Sequence, residues 1–211
     1  MDDDIRQTFV ETSTMRSLRE AVEVGRSPIL LSGARGIGKT SMLRALARDW
    51  KERGYAVAYV DLWDHSATEH LIESIAQQMG MISDERRRES IVLSSSASSE
   101  EAWIDALAHV KEGLIILDEV DAIADRDRRA IATFRQLVRT GLRVVVSSET
   151  AVKALSVFSG VVGSDLTRIE VNPWSAKEIS QIVPDEIEPG AALRIRQIAA
   201  GNPRVARLAI G

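Results

Sequence analysis

The stretch PILLSGARGIGKTSMLRALARDW, residues 28–50, constrains the fold more than any other part of the chain. The apolar run Ile29–Leu31 ends at Gly33, a glycine-rich loop follows, and apolar residues then recur at steps of three and four (Leu43, Leu46, Ala47, Trp50) as far as Gly54. The first part has the composition of a buried strand, and the last has the period of an amphipathic helix with a glycine stop. The loop fits G-x-x-x-x-G-K-[ST] through Gly33, Gly38, Lys39 and Thr40. Such a loop turns successive backbone N–H groups onto phosphate oxygens, and the helix start adds partial positive charge. In this pattern Lys39 reaches the β- and γ-phosphates, and the Thr40 hydroxyl holds Mg²⁺. The candidate phosphate site is therefore Gly33, Ala34, Arg35, Gly36, Ile37, Gly38, Lys39, Thr40 and Ser41. Arg35 either faces solvent or touches the ligand. A chance glycine-rich turn would also match the pattern, but the strand before it and the helix after it are the context the motif requires.

Beyond this unit, strands and helices alternate as far as residue 173. Residues 9–26 read as a helix started by Ser13 or Thr14, 55–62 as a strand covered on both faces, and 66–79 as a helix with Leu71, Ile72, Ile75 and Met79 on one side. Residues 80–100 are polar and serine-rich and read as a surface excursion. A helix around Trp103, Ile104 and Leu107 leads to the buried strand 114–117, and residues 122–139 read as a helix. RVVVSS at 143–148 is a core strand, and TRIEV at 167–171 alternates as an edge strand does. Three short helices follow Pro173. The alternation implies βαβ units, hence a parallel sheet sandwiched between helices.

The second chemical motif is GLIILDEVD at 113–121. Four apolar residues carry Asp118 and Glu119 to the C-terminal end of a buried strand, where ligands bind in open parallel sheets. Asp118 would orient a Mg²⁺-bound water, and Glu119 would polarise the water that attacks a γ-phosphate. An acidic turn ending a strand would look the same in isolation. Its pairing with the phosphate loop favours the catalytic reading.

Composition removes several other classes. The 211 residues include no cysteine, which excludes disulfides, Cys-based zinc sites and thiol catalysis. The three histidines, His65, His70 and His109, suggest no metal site. A net charge of −4 argues against a broadly basic surface while allowing a local basic patch. The acidic start, MDDDIRQ, lacks the apolar segment of a signal peptide, and no apolar run approaches a membrane span, so a cytoplasmic protein without membrane contact is expected.

A phosphate loop followed by a strand ending in Asp-Glu resembles the additional-strand class of P-loop ATPases, and the helical unit after a fifth strand is similar to the lid of the AAA+ branch. The resemblance spans nearly the whole chain. It implies an α/β, three-layer P-loop NTPase core over residues 1–173, with a five-stranded parallel sheet in the order 5-1-4-3-2, and a small C-terminal helical lid over 174–211. It implies ATP/ADP and Mg²⁺ as cofactors, with ATP hydrolysed to ADP and phosphate. Ser147 or Ser148 falls where the family keeps a polar sensor residue. In GNPR at 201–204, Gly201 ends one helix, Pro203 suits the first turn of the next, and Arg204 falls where the lid sensor arginine stands, with Arg196 and Arg207 as competing basic residues nearby. Phe9 and Val10 fall where relatives fold a segment over the adenine, though simple packing would also explain them. Trp174 sits at the junction of core and lid.

The family usually supplies an arginine in trans from between the sensor strand and the fifth strand. From Glu149 to Thr167 there is no arginine, only Lys153, and Arg168 is the nearest candidate. Arg126, Arg128 and Arg129 alternate with acidic residues and read as a solvated face. The overall pattern looks most like origin-recognition and archaeal-type ATPases, or ATP-dependent regulators of DNA transposition. This implies an assembly or DNA-associated regulator that associates with itself and with DNA or a protein. The missing arginine and the Gly-x-Pro of GNP also resemble signal-transduction NTPases of the STAND kind, which are slow switches. A nucleotide-binding scaffold with little hydrolysis is a third reading, and Glu119 argues against it.

Overall fold

A computed structural model describes residues 10–25, 28–64, 70–81, 99–124, 128–152, 154 and 166–210. The chain runs through α1 (Ser13–Val24), β1 (Ile29–Ser32), α2 (Lys39–Glu52), β2 (Ala56–Asp61), α3 (Leu71–Gln78) and α4 (Ser99–Ala108). It continues through β3 (Gly113–Asp118), α5 (Asp121–Ala124), α6 (Arg128–Arg139), β4 (Arg143–Ser148) and β5 (Thr167–Glu170), then α7 (Ala176–Ser180), α8 (Pro189–Ala199) and α9 (Pro203–Ile210). The strands form one sheet, β2-β3-β4-β1-β5, and every neighbouring pair is parallel. This is the expected 5-1-4-3-2 order.

The sheet separates two apolar layers, because successive strand residues point to opposite faces. Ile29, Leu31, Ile116 and Val145 meet Met15, Leu18 and Val22 of α1 and Leu43, Leu46 and Trp50 of α2. Leu30, Ile115, Leu117, Val144 and Val146 meet Ile72 and Ile75 of α3, Trp103 and Leu107 of α4, and Phe134 and Leu137 of α6. Every residue of β1 and β3 is buried, which explains why those strands read as unbroken apolar runs. Each large apolar side chain removed from water contributes about 1.5–3 kcal/mol.

The two edge strands are protected differently. On β2 the Tyr59 N–H donates to Gln78 Oε1 at 2.8 Å. On β5 the exposed positions are Arg168 and Glu170, charges that discourage pairing with another edge. A third apolar cluster joins Ile179, Ile195, Ala199 and Ala206 of the C-terminal helices, and Ile182 of the turn after α7, to Val10. The segment before α1 thus packs with the last three helices rather than on the sheet.

Several boundaries differ from the sequence reading. Thr12 caps α1, its hydroxyl accepting from Met15 N at 3.2 Å, in place of Ser13 or Thr14. The helix read from 66 is described from Leu71, with 65–69 outside the described residues. The helix read over 122–139 is described as α5 and α6, with 125–127 outside. The surface excursion, apart from Gly80, Met81 and the start of α4, and Lys153 also lie outside the described residues.

Candidate functional site

Parallel strands end together, so their C-terminal residues share one rim of the sheet. Asp61 of β2 stands opposite Asp118 of β3, and Ser32 of β1 opposite Ser148 of β4 and Glu170 of β5. From that rim the Gly33–Gly38 loop leads into α2. Gly36 (φ 79°) and Gly38 (φ 108°) occupy left-handed backbone that side chains resist. Ile37 is buried in the layer beside α2 and anchors the loop from beneath.

The rim opens on a cavity of about 820 Å³. Of the candidate loop, Arg35, Gly36, Gly38, Lys39, Thr40 and Ser41 line it; Gly33, Ala34 and Ile37 do not. Lys39 is only 5% exposed, and its ammonium donates to Gly33 O at 2.8 Å and Ala34 O at 3.3 Å. Among the described residues it has no carboxylate within salt-bridge distance. A buried cation held by two carbonyls is what an anion site requires before its anion, since burying it otherwise costs free energy.

Asp118, 1% exposed, is fixed from both sides. Ser147 Oγ donates to Oδ1, and Tyr59 OH donates to Oδ2 at 2.5 Å. Burial and the adjacent Asp118 carboxylate push the Tyr59 phenol well above its ordinary range, so it stays a donor. Ser147 also accepts from Glu119 N at 2.8 Å, while Val120 N donates to Ser147 O at 2.8 Å. These bonds hold Glu119 at φ 61°, left-handed backbone that costs a non-glycine residue about 1–2 kcal/mol. Strain of this kind concentrates at functional sites. Burial raises the Glu119 carboxyl above the usual range, opposed by Lys39 and reinforced by Asp118 and Asp121.

The two serines divide the work. Ser147 links Asp118 to Glu119. Ser148 donates to Asp121 Oδ1 at 2.7 Å, and Asp121 Oδ2 accepts from Glu149 N at 2.5 Å, which ties β4 to the start of α5. Neither serine lines the cavity.

The C-terminal helices close the other side. Arg204 and Arg207, one turn apart on α9, line the cavity with Pro203, Trp174 and Val10. A Cβ on Gly36 would lie 3.1 Å from Arg204 Cδ, so this helix start packs directly on the loop. The Trp174 indole N–H is buried with no partner among the described residues, and a Cβ on Gly38 would lie 3.9 Å from it. Arg168 is exposed on edge strand β5, outside the cavity. Phe9 lies outside the described residues.

Sequence reasoning missed Tyr59, Asp61, Trp63, Asp121 and Glu149; Arg207, which competed with Arg204 as the lid arginine, lines the cavity beside it. A tyrosine in an otherwise small and aliphatic strand, and an aspartate ending the strand next to that of Asp118, were the available signals for the first two.

A nucleotide with its cation fits this set. Lys39 and the loop N–H groups suit phosphate. Among the described residues no three His, Cys, Asp or Glu side chains could hold a metal ion together. A cation at Thr40 and Asp118 would therefore need oxygens from phosphate and water, which is Mg²⁺ behaviour. No described helix is long and apolar enough to cross a membrane.

The profile of the AAA domain family matches residues 22–155, well over half of the chain. No curated protein sequence matches the chain. Among solved structures, the ORC1 protein of Aeropyrum pernix, in complex with DNA, is similar with a TM-score of 0.69 at 20% identity, over 98% of this chain and 60% of that one. A Walker-type ATPase of Pyrococcus abyssi gives 0.68 at 17% identity, over 96% and 67%. AMPPCP-bound DnaA from Aquifex aeolicus gives 0.61 at 20% identity, over 94% and 61%. At these identities the structures speak for the fold, and the chain spans about 60% of the length of the first. The sheet order, the loop and the family match agree: the chain belongs to the AAA domain family and has the P-loop AAA+ fold.

Proposed function

We propose that the protein binds ATP with Mg²⁺ and hydrolyses it, and that the nucleotide state controls its assembly or its association with DNA. The observation that carries this reading is one cavity bringing together a buried lysine that pairs with no carboxylate among the described residues, a carboxylate on a strained peptide, and two lid arginines.

Lys39 would leave the Gly33 and Ala34 carbonyls for the β- and γ-phosphates, and the Gly36 and Gly38 backbone would line the phosphate path. Thr40 and Asp118 would hold Mg²⁺, whose contribution is to neutralise charge on the phosphates. Glu119 orients a water and takes its proton as the water oxygen bonds to the γ-phosphorus. The bond from that phosphorus to the bridging oxygen breaks, leaving ADP and phosphate. Ser147 holds Asp118 and Glu119 in register, and Ser148 secures the neighbouring turn. Val10 and Trp174 offer the apolar surface for adenine. Arg204 reads the γ-phosphate from the lid, residues 174–211, so that occupancy changes how the lid sits on the core.

Arg168 faces solvent, so any part it takes in turnover is toward a second copy. The AAA domain family and the DNA-bound ORC1 relative support an assembly or DNA-associated regulator. The GNP turn and the absence of arginine between Glu149 and Thr167 favour, as a second reading, a slow STAND-type switch.

Nucleotide affinity, turnover and native mass with and without duplex DNA test these readings. Association promoted by ATP, with turnover stimulated by DNA, supports the first; a stable monomer retaining ADP supports the second. Lys39→Ala should abolish nucleotide binding in either case, and a variant that binds as the wild type does overturns the site. Arg168→Ala should lower the rate of the assembly without changing the affinity of the monomer.

A further inference from the structure

Within GNPR, the one side chain with no role in the sequence reading, Asn202, joins the lid to the phosphate loop. Asn202 Oδ1 accepts from Arg204 N at 3.0 Å and Val205 N at 3.3 Å, so it caps α9. Its Nδ2 donates to Arg35 O at 3.2 Å, across 167 positions of sequence. The turn before it is pinned as well. Trp174 N donates to Gly201 O at 2.7 Å, and a Cβ on Gly201 would fall 2.6 Å from Pro173 Cβ and 2.8 Å from Trp174 O. A Cβ on Gly36 would meet Asn202 Oδ1 at 3.3 Å. Asn202 is thus wedged between a rigid turn and the loop, with acceptor and donor both used.

The Arg35–Gly36 peptide is trans, so its C=O and N–H point in opposite directions. A side chain that holds the carbonyl on the lid side keeps the Gly36 N–H turned away from the lid. Were this peptide to rotate, a carbonyl oxygen would face an incoming phosphate where an N–H is needed. We infer that Asn202 is a positioning residue of the nucleotide site: it fixes the Arg35–Gly36 peptide for phosphate and couples that peptide to the start of the Arg204 helix. This rests on the nucleotide reading above.

Two substitutions separate the anchor from the cap. Asn202→Asp keeps the cap acceptor and complements the helix dipole, but sets a carboxylate against the Arg35 carbonyl. Asn202→Ser keeps a cap without charge and is too short to reach the loop. Amide exchange in the nucleotide-free protein should rise over residues 33–38 in both variants while 203–210 stay protected. In Asn202→Ser the affinities for ATP and ADP should fall about fivefold, the size of one neutral hydrogen bond, while that for adenosine is unchanged. Wild-type exchange over 33–38 in Asn202→Ser overturns the inference, as does an equal loss for ATP and adenosine. Faster loop exchange in Asn202→Ser, together with a wild-type protein that binds no nucleotide, keeps the anchor and overturns the nucleotide reading instead.

Discussion

Ser147→Ala tests the joint between Asp118 and Glu119. Ser147 is fully buried, donates to Asp118 Oδ1 and accepts from Glu119 N. Alanine removes a bond to a charged acceptor, typically about 1.5–3 kcal/mol, and a neutral one of about 0.5–1.5 kcal/mol, leaving a backbone N–H without a partner. The expected loss of stability is about 2–4 kcal/mol. At this chain length that corresponds to a Tm lower by about 5–12 °C. Denaturant unfolding of Ser147→Ala, Asp118→Asn and the double variant gives the coupling, expected to be about 1–2 kcal/mol. With Glu119 released from φ 61°, turnover should fall while ATP and ADP affinities hold. A loss of stability under 0.5 kcal/mol, or strict additivity with Asp118→Asn, refutes the reasoning. So does a selective loss of ATP affinity over ADP, which would place the hydroxyl on the γ-phosphate.

Gly33→Ala should destabilise the loop, because its Cβ would lie 2.9 Å from the backbone oxygen of Val171; chemical denaturation should show a loss of about 1–3 kcal/mol. Glu119→Gln should raise stability in metal-free buffer at neutral pH. The folded carboxyl is raised above its unfolded value, so its charged form disfavours the native state at neutral pH. That advantage of Gln should shrink as pH falls through the raised folded value, and a Glu119→Gln Tm below wild type at pH 7 would contradict it.

How much was legible from sequence depends on the kind of contact. The strands β1, β3 and β4 announced themselves because burial on both faces leaves an unbroken apolar run, and the phosphate loop did so because its glycines answer a backbone requirement at fixed spacing. The helix cap at Thr12 was misplaced because serine and threonine cluster there and only geometry selects one. Ser147 and Ser148 were indistinguishable as letters; the alternation of β4 decides that one reaches Asp118 and the other Asp121. Tyr59 and Asn202 were invisible as site residues because their partners lie 59 and 167 positions away. Arg168 could be named as the nearest arginine, but its exposure at the sheet edge, outside the cavity, needed coordinates.

The most direct test is Mg²⁺-dependent ATP turnover by the wild type and Glu119→Gln, with bound nucleotide measured in the same samples. The account predicts that the wild type releases phosphate and that Glu119→Gln retains ATP with turnover reduced at least a hundredfold, as for a missing general base. A wild-type protein that neither binds nor turns over ATP, or a Glu119→Gln variant that hydrolyses it at the wild-type rate, would contradict it.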